Sequence, residues 1–133
     1  MTPTFTPIFL AVNEVKNFHQ AMLEDHGGLD GLRDAGLPAS AVFMPQAGFG
    51  GEWMHGDLFE MAAAYLFHIV QNHPFIDGNK RTGAYCALTF LETNGVEIET
   101  DEDRWWEITL RTATGNADKT DIAAFLRSLA KPE

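Results

Sequence analysis

The chain has little cysteine, few basic residues and no long apolar run. Its single cysteine, Cys86, rules out an internal disulfide framework, and the neighbours Ala84, Tyr85, Ala87 and Leu88 predict a small buried thiol in a reducing compartment. Nine Lys and Arg residues stand against 19 Asp and Glu, a formal net charge of -10. That balance repels nucleic-acid phosphates and anionic membrane surfaces, so direct DNA or RNA binding is not expected, whereas a basic protein partner is compatible. No apolar stretch approaches the ~18 residues of a membrane span, and Met1-Thr2-Pro3-Thr4 puts no basic region ahead of the first apolar residues. These absences predict a cytoplasmic protein off the membrane. No His and Cys spacing fits a zinc site, and there is no internal repeat.

What is present reads as a folded chain. With 45% hydrophobic and 21% charged residues over 133 positions, the composition is that of a globular protein, and the length predicts a single domain spanning 1–133. Val15, Phe18 and Met22 recur at helical spacing between Asn13, a capping residue, and the stop Gly27-Gly28, predicting a helix over 13–26. Pro38 fits the first turn of a short helix carrying Ala41, Val42 and Met44. From Asp57 to Asn72 the sequence is apolar nearly all round after its first turn, the pattern of a central buried helix. A second apolar helix runs from about 79 to 94, with Tyr85, Leu88, Phe90 and Leu91, and stops at Gly95. Val96-Glu97-Ile98 predicts a brief extended piece; helices follow around Trp105 to Leu110, behind the capping residues of 100–103, and over 120–130. The fold class is therefore all-α, with about six helices.

Four glycines interrupt the large side chains of Ala47 to Gly56. Phe49, Gly50, Gly51 and Trp53 thus read either as a mobile flap that docks a target or as a surface loop whose aromatics tuck into the core.

The chemistry concentrates between the two central helices, in His73-Pro74-Phe75-Ile76-Asp77-Gly78-Asn79-Lys80-Arg81. Backbone amides at a helix start attract anions, and cations there oppose the macrodipole by roughly 0.3–1 kcal/mol each, so Gly78, Asn79, Lys80 and Arg81 read as a phosphate cradle. Asp77 beside it suits Mg²⁺, which takes one or two carboxylates plus phosphate oxygens. His73 is the natural general base for an attacking hydroxyl. Phe75 reads as the loop's anchor in the core. Taken singly, each residue has a plainer reading: His73 as a helix-end cap, Asp77 as a solvated turn residue, Lys80 and Arg81 as a surface pair. Together they point to nucleotide chemistry. His68 falls on the buried helix, while His19, His26 and His55 read as surface residues. Arg33 and Asp34 read either as a structural ion pair or as substrate-positioning groups.

At these residues the chain resembles the Fic/Doc family, whose signature is His-x-Phe-x-(Asp/Glu)-(Gly/Ala)-Asn-(Gly/Lys)-Arg; His73 to Arg81 matches every specified position. Gly27-Gly28-Leu29, Gly31-Leu32-Arg33-Asp34, Asp57-Leu58-Phe59 and Phe90 to Gly95 look like segments of its short, stand-alone Doc branch. The resemblance implies an all-α fold with the active-site loop joining two central helices. It implies that His73 deprotonates a target hydroxyl, Asp77 binds Mg²⁺, and Gly78, Asn79 and Arg81 hold the phosphates of ATP. Members that transfer AMP usually have Gly where this chain has Lys80 and a second Arg where it has Ala84. Both departures favour γ-phosphate transfer, the Doc-like protein kinase activity whose type target is a Thr of elongation factor Tu. AMP transfer is the runner-up, and a catalytically idle partner-binding module a second alternative. The branch also implies a toxin controlled by an antitoxin that covers the active-site groove. An inhibitory helix within the chain is not expected, because its only near match, Thr93 to Glu97, continues into Ile98 at a helix exit.

Overall fold

A computed structural model describes residues 6–33, 36–49 and 52–131. Among them the chain forms α1 (Val12–His26), α2 (Leu37–Phe43), a 3-10 turn (Met44–Gln46), a hairpin of β1 (Gly48–Phe49) and β2 (Glu52–Trp53), α3 (Leu58–Asn72), α4 (Asn79–Thr93), α5 (Glu102–Ala113) and α6 (Lys119–Leu129). The all-α expectation is met, with the two-residue strands as its only sheet among the described residues. None of these helices is long and apolar enough to cross a membrane.

The core is organised on α3. Asp57 closes its start by accepting from the Glu60 N–H at 2.8 Å, and residues Met61 to Leu66, then Ile69 and Val70, are buried. This all-round burial is what its nearly continuous apolar sequence requires. α4 packs against α3, and Gly83 permits the close approach: a Cβ there would lie 3.0 Å from Val70 Cγ2 and 3.3 Å from the Leu66 carbonyl oxygen. Phe90 of α4 contacts Tyr65, ring centroids 5.2 Å apart, and stacks on Phe9 at 5.8 Å. Trp53 meets Phe9 edge-on at 5.3 Å, so its ring is turned into the protein. Cys86 is fully buried on α4, and burial pushes its thiol up, with Glu14 adding to the shift.

Two sequence expectations for α1 need correction. The helix begins at Val12, with Ala11 as its cap residue and Glu14 accepting the Ala11 N–H at 3.0 Å, so Asn13 lies inside it. The buried face is Val15, His19 and Leu23, with Phe18 and Met22 only partly covered. The core stripe is therefore rotated from the all-apolar one, and His19 is 3% exposed rather than on the surface. His55 is likewise buried. It and His68 each accept from the Lys119 ammonium at 3.2 Å. Burial and that cation hold both imidazoles below their usual pKa, His68 at about 4. His26 is exposed, as expected.

The remaining elements follow the sequence closely. Asp101 caps α5 by accepting from Arg104 N at 3.2 Å, and Asp118 and Asp121 exchange hydrogen bonds at the start of α6. The extended piece after α4 pairs with the chain end through an Ile98 to Ala130 bridge.

Candidate active site

The loop between α3 and α4 is shaped by where its polar groups find partners. His73 ends α3 with φ 48° and ψ 56°, a left-handed conformation that only this non-glycine residue adopts among the described residues. Such a conformation costs about 1–3 kcal/mol and persists only where its surroundings hold it. Phe75 then enters the core, 2% exposed, with the His19 ring stacked on it at a centroid distance of 3.7 Å. His19 Nε2 donates to the Asp77 carbonyl oxygen at 2.7 Å. The Asn79 carboxamide closes the loop from the other side, accepting from Phe75 N at 3.0 Å and donating to Phe75 O at 2.9 Å. His19 and Asn79 therefore clamp the turn, and the Asn79 side chain is already engaged.

A second segment is laid along the first. Ile76 N donates to Gly31 O at 3.0 Å, Leu32 bridges Phe75, and the Leu29 N–H reaches Asp77 Oδ2 at 3.3 Å. Gly28, at φ 127°, is needed for this contact, since a Cβ there would lie 2.9 Å from Asp77 Oδ2. Arg33 donates through Nε to His73 O at 2.8 Å and through its terminal nitrogen to Asn72 O. The guanidinium thus serves the helix end; Asp34, its suggested ion-pair partner, lies outside the described residues.

α4 begins at Gly78, φ 80°, which has no side chain to cap the amides that follow. The N–H groups of Asn79, Lys80 and Arg81 lie in the first turn of α4, and the first backbone bond back to the cap is Thr82 N to Gly78 O at 3.0 Å. This is the amide nest expected of an anion site. A cavity of about 220 Å³ is lined by His73, Ile76, Asp77, Gly78, Asn79, Lys80, Arg81 and Trp106. The proposed base, metal ligand and cradle residues thus share one space. Asp77 accepts from Gly78 N and Leu29 N, which orients a hard oxygen ligand beside the amides. That donor chemistry fits Mg²⁺ completing its shell with phosphate oxygens.

Sequence reasoning missed Trp106, whose ring lies 5.8 Å from the Arg81 guanidinium carbon, a cation-π distance. Lys80, Arg81 and Trp106 also border a neighbouring cavity of about 560 Å³, whose walls include Ala84, Tyr85, Leu88, Trp105 and His26. Of the suggested flap residues, Phe49 and Trp53 lie on β1 and β2, and Gly50 and Gly51 fall outside the described residues.

The sequence profile of the Fic/DOC family matches residues 9–91. The chain belongs to this family. It is 35% identical over 120 residues to the protein kinase Doc of Escherichia phage P1, covering 90% of this chain and 94% of that protein. It is also 41% identical over 106 residues to the toxin Doc of Mycolicibacterium smegmatis, covering 78% and 82%. Within Fic/DOC the chain is accordingly a Doc-like toxin, and a relative named as a kinase places it among protein-modifying transferases that use a nucleotide.

Proposed function

We propose that this Doc-like toxin transfers the γ-phosphoryl group of ATP to a hydroxyl of a target protein, with a Thr of elongation factor Tu as the expected acceptor. The observation that carries this reading is the uncapped start of α4, where free amides, Lys80 and Arg81 share a cavity with His73. His73 takes the proton from the acceptor hydroxyl. The freed oxygen forms its bond to the γ-phosphorus as the bond to the β-γ bridging oxygen breaks, and ADP leaves in line. Amides of Asn79, Lys80 and Arg81 and the two cations stabilise the charge on the transferred group. Asp77 would hold Mg²⁺, which when bound neutralises phosphate charge.

Phosphoryl rather than AMP transfer is supported by the neighbourhood of Ala84. A second Arg there would occupy the wall of the larger cavity; Ala84 leaves that space open beside Lys80, room for the nucleoside end of a nucleotide whose γ-phosphate sits in the cradle. Tyr85 and Trp106, 41% and 44% exposed, offer aromatic faces to a base. The same groove is where an antitoxin segment would exclude nucleotide.

Incubating the protein with elongation factor Tu and ATP labelled separately at the α and γ positions tests the reading. Label from the γ position alone is expected. Label from the α position alone would make the protein an AMP transferase. Toxicity retained by a His73→Ala variant would point instead to an idle binding module.

A further inference from the structure

Three successive carbonyl groups leave the C-terminal end of α3, those of Asn72, His73 and Pro74, and all three accept from one residue. Arg33 Nε donates to His73 O at 2.8 Å, its terminal guanidinium nitrogen donates to Asn72 O, and its backbone N–H donates to Pro74 O at 3.0 Å. The residue at the centre of this fork is His73, held at φ 48°. A helix end exposes carbonyls without partners and carries partial negative charge, so a guanidinium there satisfies both at once. Its two donors are fixed in one plane, which is what two adjacent carbonyls need if the peptide between them is to keep a single orientation. From this geometry we infer that Arg33 is a positioning residue for the reaction. It touches no reacting atom, and it sets the direction of the His73 imidazole by fixing the left-handed backbone that carries it.

The bracing around the loop separates this role from general support. His19 and Asn79 hold Phe75 and the Asp77 carbonyl, on the side of the loop that faces the core and the cradle. Among the described residues, side-chain donors to the His73 carbonyl come from Arg33 alone. Loss of Arg33 should therefore leave the cradle and its nucleotide in place while misaiming the base. The signature is a fall in kcat with little change in nucleotide KM.

The inference rests on His73 acting as the base in the proposed transfer, and two kinds of measurement keep the two claims apart. Steady-state transfer by the full chain would be compared for the parent, Arg33→Ala, Arg33→Lys, and Asp118→Ala as a loss of helix capping on α6, away from both cavities. Backbone chemical shifts of His73 would be recorded by NMR on the same proteins. For Arg33→Ala we expect kcat to drop on the order of 10²-fold, nucleotide KM to stay within about twofold, and the His73 shifts to leave their left-handed values. Arg33→Lys, with a single point donor, should recover only part of kcat. Asp118→Ala should keep both parent constants. Unchanged kcat in Arg33→Ala overturns the inference, as does a loss that follows only the unfolded fraction. If the parent transfers nothing, the proposed function fails, and the His73 shifts alone decide: moved in Arg33→Ala they support the positioning role, unmoved they refute it.

Discussion

The starts of α4 and α6 are built from similar parts and put to opposite ends. Both carry a cation in the first turn, against the helix dipole. At α6 the opposition is answered within the fold: Asp118 and Asp121 close the amides, and Lys119 donates to the neutral imidazoles of His55 and His68. At α4 the cap is Gly78, which supplies no side chain, and Lys80 and Arg81 border open cavities. α3 and α5 resemble α6 in this respect, each closed by an Asp. Of these four starts, that of α4 is the one with no side-chain cap, and an anion would complete it.

Changes that blur this contrast should have graded effects. His73→Ala removes the proposed base beside the open helix start and should lower transfer about 10²–10⁴-fold with folding intact; single-turnover kinetics and circular dichroism measure the two sides. Gly78→Asp brings to α4 a carboxylate like those of the Asp-capped starts, at a φ of 80° that an L side chain adopts only with strain, so circular dichroism is recorded alongside to show the fold kept. Its carboxylate competes for the amides and repels phosphate, so nucleotide affinity measured by calorimetry should fall about tenfold or more. An unaltered affinity would mean that phosphate does not sit on these amides.

Acidification tests the α6 side. His55 and His68 have depressed pKa values in the folded chain, so the unfolded chain binds more protons as pH falls below the ordinary histidine value of about 6.5. Stability is complete above that pH and declines towards pH 4. Discounted for the solvent around His68, the loss is on the order of 1–2 kcal/mol, read from urea midpoints. Lys119→Met should flatten this pH dependence only in part, because it removes the cation that both imidazoles face and leaves burial, the larger cause. The smallest effect is expected for Asp118→Ala, which opens the start of α6 away from both cavities. It should lose about 1 kcal/mol of stability and no activity, a result that thermal melts and transfer assays would check together.

The sequence carried the parts of this picture that are local. Periodicity located the six helices, the four for which it set bounds to within a residue at each end, and the contiguous His73 to Arg81 segment delivered one cavity because its residues share a single turn and helix start. What escaped was set by partners far along the chain. His19 looked like a polar surface residue because its partners, Phe75 and the Asp77 carbonyl, lie some 56–58 positions away. His55 and His68 gave no sign of sharing Lys119 for the same reason. Arg33 remained ambiguous until the pairing of 31–33 with 74–76 brought its guanidinium to the end of α3. Trp106 belongs to a helix predicted correctly; its place over Arg81 depends on how α5 packs against α4.

The lone thiol of Cys86 turns the core into its own clock. It sits fully buried on the helix that begins at the cradle, and its raised pKa keeps it in the unreactive protonated form. A thiol reagent can modify it only when that helix parts from its neighbours, so the labelling rate reports how often the core opens. With no second cysteine to confuse the signal, slower labelling in the presence of a nucleotide or an antitoxin would measure how strongly occupation of the loop closes the rest of the molecule.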